Sequence, residues 1–140
     1  MLNELEIGTA RRFYEEVLNK GDLSILDEVF SPNYFDHGAP PDAPRGVEGF
    51  KQFFAMVSGV FPDVQVTVED MVAAEGKVAT RLTIRGTQKG SFMGFPATGK
   101  YVSWTGIDVM HLSAGKITER WSERNFFGML LELGLISLPE

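Results

Sequence analysis

The chain has 140 residues, a formal net charge of −6, 44% hydrophobic residues and no cysteine. Residues 1–140 suit one domain with a single core, and the lack of thiols excludes disulfides, a thiolate nucleophile and a Cys-ligated metal. An acidic chain with no Lys/Arg cluster is not expected to bind nucleic acid. No apolar run approaches the about 20 residues of a membrane span. The charges in MLNELEIGTARRF interrupt any export-signal core, so a cytoplasmic location is expected.

From the N-terminus, Ile7, Ala10, Phe13, Tyr14, Val17 and Leu18 recur at helical spacing and predict a helix over 3–19. Asn3 with Glu6 resembles a capping box at its start. Gly21 suits a left-handed cap at its end, and Asp22 can cap a second, short helix in LSILDEVF. Pro32 ends that helix, and FDHGAPPDAPRG reads as a loop. A third helix over about 47–60 turns Phe50, Phe53, Phe54 and Val57 inward until Pro62 stops it. The period then changes to two. VQVTVEDMVAA, KVATRLTIRGTQKG, YVSWTGIDVMHL and KITERWSERNF predict four successive strands, with turns at Glu75-Gly76 and Ala114-Gly115 and a longer GSFMGFPATGK connection. FFGMLLELG is apolar enough to pack back onto the fold. About three N-terminal helices followed by strands predict an α+β fold, with the helices on one face of a curved antiparallel sheet.

A two-residue turn at Ala114-Gly115 sets Ser113 opposite Lys116 and Leu112 opposite Ile117. Uninterrupted pairing then sets Met110 against Glu119, Asp108 against Trp121 and Trp104 against Asn125. Cross-strand partners share a face, so one face carries Trp104, Asp108, Met110, Leu112, Ile117, Glu119, Trp121 and Asn125. The other carries Ile107, Val109 and His111 beside Thr118, Arg120, Ser122 and Arg124. The first is richer in large aromatic surface and is assigned to the concave side. A slip of one residue would invert this. Trp104 and Trp121 would then wall a pocket, with Asp108, Glu119 and Asn125 as its polar groups.

The segment RLTIRGTQKGSFMGFPATGKYVSWTGIDVMHLSAGKITERWSERNFFGMLLELG, together with NYFDHG and FPDVQVTVEDMVAAEGKVATR, resembles SnoaL-like polyketide cyclases. The resemblance covers nearly the whole chain. It rests on the FPD after the third helix, the RGT, the PATGK before a strand, and GKITERW followed by a Leu-Gly ending. It implies the cone-shaped α+β fold shared with nuclear transport factor 2, scytalone dehydratase and ketosteroid isomerase. It further implies an intramolecular aldol condensation that needs no metal or cofactor, on a small hydrophobic or aromatic carbonyl compound, by a homodimer pairing through its exposed sheet face. Abstracting a proton α to a carbonyl needs a base of tuned pKa in a dry pocket and donors aimed at the developing oxyanion. An Asp base meets that need in ketosteroid isomerase. In many relatives the residue four after the Trp is an Asp acid/base, whereas here it is Asn125, an amide that can only orient a carbonyl. A His common after the RGT is Gln88 here.

Candidate catalytic residues are therefore His37, Asp108 and Asn125, with Trp104, Trp121, Arg81, Glu119 and Met110 as substrate contacts. His37, in YFDH, is either a pocket imidazole oriented by Asp36 or a turn residue of the Gly-Pro loop. Arg81 either reaches the pocket or pairs with an acid on a neighbouring strand, and His111 is expected on the opposite face. Two distant histidines without HxH or HExxH spacing make no metal site. The chain lacks a GxSxG elbow and a phosphate-binding P-loop. Three readings stay open: a cofactor-independent enzyme, a non-catalytic binder of a small lipophilic ligand, and a dimer scaffold.

Overall fold

The computed structural model describes residues 3–139. Helix α1 (Glu4–Arg12) runs on into a π-helical segment, Phe13–Asn19. The apolar stripe predicted there is what it buries, through Ala10, Phe13, Tyr14 and Val17. Asn3 does not cap the helix: its backbone is left-handed and its side chain donates instead to the Ala73 carbonyl. At the other end the Asn19 amide imitates a strand. Its oxygen accepts from Val66 N–H at 2.6 Å and its nitrogen donates to Val66 C=O at 2.8 Å, which fastens the helix to a sheet edge. Gly21 takes φ +69°, and Asp22 caps a short 3₁₀ turn, Leu23–Ile25, that leads into α2 (Leu26–Val29).

The chain then enters a strand, β1 (Phe30–Asp36), where the end of the second helix and the start of the loop are expected. Pro32 is tolerated because β1 is an edge strand. Helix α3 (Val47–Val60) follows as predicted, then β2 (Gln65–Ala74), β3 (Lys77–Thr87), β4 (Tyr101–Ser113), β5 (Lys116–Arg124) and a fourth helix, α4 (Phe126–Glu132). The sheet order is β1-β5-β4-β3-β2. Pairing is antiparallel except that β1 runs parallel to β5, so the sheet is mixed rather than wholly antiparallel. Both hairpins close on two residues with positive φ, Glu75-Gly76 and Ala114-Gly115. That geometry matches strand twist and fixes the register at each turn.

Between sheet and helices lies the core. Phe13, Phe30 and Phe50 form a triangle with ring centroids 5.1–5.6 Å apart. Each ring buried this way contributes roughly 1.5–3 kcal/mol. Phe61 packs on Trp104 at 4.8 Å, under Gly86, where a Cβ would meet the Phe61 side chain at 3.0 Å. Gln88 is wholly buried: its oxygen accepts from Thr98 N–H and Oγ1, and its amide donates to the Gly90 and Pro96 carbonyls. This one side chain organises the connection between β3 and β4, and every hydrogen-bonding group on it is used.

One residue changes the face assignment of β5. Leu112 pairs with Ile117 as expected, but His111 pairs with Glu119, leaving Thr118 as an extra residue in a β-bulge. Beyond it, Met110 faces Arg120, Asp108 faces Ser122 and Gly106 faces Arg124, while Val109 faces Trp121. Glu119 and Trp121 therefore lie on the outer face, and Arg120, Ser122 and Arg124 on the inner one, the reverse of the uninterrupted register. Trp104, Asp108, Met110 and Ile117 are on the inner face as predicted.

Candidate active site

A small set of charges is buried on the inner face beneath the helices. Strand alternation brings Thr80 of β3, Asp108 of β4 and Ser122 of β5 into one rung, and Met110, Arg120 and Asp36 into the next. Asp108 is fully buried. Its Oδ2 accepts from the Tyr14 hydroxyl at 2.8 Å, and Arg124 donates to Oδ1 at 2.7 Å and Oδ2 at 3.4 Å. The fork of Arg124 fits both carboxylate oxygens. It reaches them because residue 106 is glycine: a Cβ there would sit 2.6 Å from the Arg124 side chain.

Arg120 is 2% exposed, its guanidinium lying over the rings of Phe13 at 4.9 Å and Phe53 at 5.8 Å. It approaches Asp36 at 3.5 Å, and its Nε–H has no partner. Three further buried oxygens lack hydrogen bonds: Tyr34 Oη, Thr80 Oγ1 and Ser122 Oγ. Thr80 adjoins the Tyr14 phenol without a well-formed bond. An unpaired buried polar atom costs about 1–3 kcal/mol, and four of them lie together on this inner surface.

The electrostatics follow from this packing. Burial pushes the Asp108 carboxyl up, but the charges of Arg120 and Arg124 and the bonds from Arg124 and Tyr14 outweigh it, and the net shift is down. Asp108 is thus ionised at neutral pH. Burial, reinforced by the Asp108 charge, pushes the Tyr14 hydroxyl well above its ordinary range. Burial likewise pushes Tyr34 up to about 12 despite the opposing pull of Arg120. Burial disfavours the Arg120 charge, yet Tyr34, Asp108 and Asp36 more than offset this, and its pKa is raised. The interior holds an ionised base beside neutral phenols and fixed cations.

Other predicted residues lie elsewhere. His37 follows β1 on the outer face, stacked on Trp121 at 4.1 Å with planes 8° apart, and bonded through Nε2 to Glu119 at 2.8 Å. His111 leans on Trp121 from another side, its Nδ1 3.8 Å from Glu119. Arg81 pairs with Asp70 of β2 at 3.1 Å on the outer face. Asn125 caps α4: its Oδ1 accepts from Gly128 N–H at 2.9 Å. It borders an open hollow of about 350 Å³ shared with Arg81, Ile107, Glu123 and Arg124. Among the described residues no three His, Asp or Glu side chains converge as metal ligands. Tyr14, Tyr34, Arg120 and Arg124 were not singled out by sequence. The available signal was a Tyr inside the apolar stripe of the first helix, since a buried phenol calls for a partner.

A curved sheet with an ionised carboxylate and unpaired polar atoms on its inner face, roofed by aromatic helices, is the architecture of the cone-shaped α+β class. Comparison with known proteins agrees. The sequence profile of SnoaL-like polyketide cyclases matches residues 8–133, and the chain belongs to that family. Among solved structures it is similar to IdmH from Streptomyces antibioticus, a proposed polyketide cyclase, at 34% identity and TM-score 0.80, covering 92% of this chain and 98% of that one. TsrD from Streptomyces laurentii superposes with TM-score 0.86 at 27% identity, covering 97% of this chain and all of the other. AclR from Streptomyces galilaeus, a proposed hydroxylase, superposes with TM-score 0.77 at 27% identity over 94% of this chain and 97% of that one. No curated protein sequence matches the chain. Among the described residues, no helix is long and apolar enough to cross a membrane.

Proposed function

We propose that the chain is a cofactor-independent enzyme of enolisation and aldol type, acting on a small aromatic or polyketide-like carbonyl compound, with Asp108 as its base. The observation that carries this reading is the buried, ionised Asp108 held by Tyr14 and Arg124 beside a buried Arg120 with a free donor. An Asp108 oxygen takes the proton α to a substrate carbonyl, and the C–H electron pair passes into the enolate. Arg120 and the Tyr34 hydroxyl are the donors that hold the enolate oxygen. The enolate carbon then bonds to a second carbonyl of the same molecule, and the resulting alkoxide takes the proton back from Asp108, so atoms and charge balance. Because its arginine partners lower the proton affinity of Asp108, more of the barrier falls to stabilisation of the oxyanion than to the strength of the base. Trp104 and Met110 support this inner surface, and Asn125 caps α4 beside the hollow it shares with Arg81 and Ile107. His37, Glu119, Trp121 and Arg81 belong to the outer face.

Solvent α-proton exchange tests the reading. A panel of aromatic β-keto esters incubated in D₂O with wild type should gain mass faster than with buffer alone. Tyr14→Phe, which removes the donor that orients the Asp108 carboxylate, should slow exchange by about 10-fold or more. Ligand binding with no exchange by any panel member would favour the lipophilic-binder reading.

The outer face supports a second proposal, that the protein pairs with a copy of itself. Val72, Ala79, Val109 and Trp121 sit in one rung across four strands, with Ile107 beside them. Val72 is 69% and Ile107 54% exposed, more apolar surface than an isolated sheet face usually presents. Sedimentation at micromolar concentration should give a dimer, and Ile107→Glu a monomer.

A further inference from the structure

The interior cluster is closed, and the way a ligand reaches it is written in α3. This helix sets a broad apolar face against a polar one of Glu48, Lys51 and Gln52, yet only Phe50 and Val60 are buried. Phe53 and Met56, one turn apart, are 38% and 50% exposed. A helix that leaves aromatic and Met surface in water is held by less burial than its composition would allow. Directly beneath Phe53 lies the Arg120 guanidinium. Of the two rings that contact this cation, Phe13 is sealed in the core and Phe53 reaches solvent. The same guanidinium carries the unpaired Nε–H, Tyr34 Oη is likewise buried and unpaired, and Asp108 lies in the adjacent rung. Phe53 is therefore a partly exposed ring lying against a buried cation that carries an unpaired donor.

We propose that Phe53 is a placeholder: a flat aromatic ligand bearing a carbonyl or hydroxyl oxygen enters under α3, takes the place of Phe53 over the Arg120 guanidinium, and offers that oxygen to Arg120 Nε–H and Tyr34 Oη. The exchange of one ring for another conserves the cation–π contact that burial of Arg120 requires, while the ligand oxygen removes two unpaired groups. The displaced Phe53 turns toward Met56, where apolar surface is already exposed. This inference rests on the interior site proposed above and adds its subsite and its gate. The residue at position 53 then sets the width of ring admitted.

Two measurements on the full chain decide it. In native-state hydrogen exchange, amides of α3 should exchange as a unit at least about 100-fold faster than those of β3 and β4, as expected of a low-stability cooperative segment. In stopped-flow binding of 1,8-dihydroxyanthraquinone, the wild-type rate should saturate with probe concentration. Phe53→Ala should raise that ceiling about 10-fold or more, and Tyr34→Phe should weaken affinity about 3–10-fold without moving it. Equal protection of α3 and the sheet overturns the proposal. So does an unchanged ceiling in Phe53→Ala, or no probe binding by that variant. A protein that opens and binds but exchanges no α-protons would retain the subsite and lose only the catalytic reading.

Discussion

Arg120 and Trp121 are neighbours in the chain and opposites in setting. Arg120 is buried among aromatic rings with Asp36 and Asp108 as its counter-charges. Trp121 is half-buried on the outer face, flanked by His37 and His111, which share the Glu119 carboxylate. Each setting has a carboxylate, cationic or basic partners and aromatic surface. They differ in access to water. The inner charges interact through a low-dielectric medium, so each depends on its partners, whereas the outer ones are screened and nearly independent. The same residue types are thus structurally coupled on one face and replaceable on the other.

The largest effect should come from breaking the inner set. Asp108→Ala leaves Arg124 and Arg120 buried without their main counter-charge, and urea unfolding should show a loss of about 3–5 kcal/mol. The matched outer change, Glu119→Gln, removes a partly exposed pair and should cost less than about 1 kcal/mol. Comparable losses at the two sites would remove the contrast. Next in size is Gly106→Ala, a single methyl that cannot fit beside Arg124. It should cost about 1–3 kcal/mol in the same assay, as overpacking does. Asp108→Asn should blunt that penalty, since the pairing that Gly106 permits is then already lost.

pH separates two buried groups of the inner face by sign. The folded Asp108 pKa lies below its unfolded value of about 3.9, so its contribution to stability is full above that value and is lost as pH falls through the folded pKa. Tyr34 titrates at about 12 in the fold against about 10 unfolded, so its contribution is full below pH 10 and is lost between pH 10 and 12. Unfolding monitored from pH 2 to 12 should show both limbs. Asp108→Asn should flatten the acid limb, and Tyr34→Phe the alkaline one. The smallest effect belongs to the start of α4: Asn125→Asp keeps an oxygen to cap that helix and should change stability by less than about 0.5 kcal/mol. It should also leave α-proton exchange unchanged if Asp108 is the base.

Much of this was legible in the sequence, for identifiable reasons. The periodic stripe of the first helix, the Phe-rich third helix, the four alternating strands and both two-residue turns follow from local pattern, and the family resemblance gave the cone. Three features did not follow. β1 was hidden by Pro32 and by its parallel, edge position, which needs a distant partner strand rather than a turn. Phe53 reads as core by spacing, yet α3 turns it outward over Arg120. The bulge at Thr118 leaves no mark in KITERW, whose alternation continues across it, and nothing local reports the change of phase. That one residue moved Glu119 and Trp121 from the expected pocket to the outer face and brought Arg120, Ser122 and Arg124 inside. The inner face was therefore half readable: Asp108, Trp104 and Met110 of β4 lie on it as expected, while the β5 contribution was inverted.

The measurement that bears most directly on the central claim is α-proton exchange of an aromatic β-keto ester in D₂O, read by mass spectrometry, with Asp108→Asn and His37→Ala run beside wild type. The interior account predicts that Asp108→Asn falls to the buffer rate, at least about 100-fold below wild type, while His37→Ala stays within about twofold. Exchange that survives in Asp108→Asn and disappears in His37→Ala would place the base on the outer face and contradict the account.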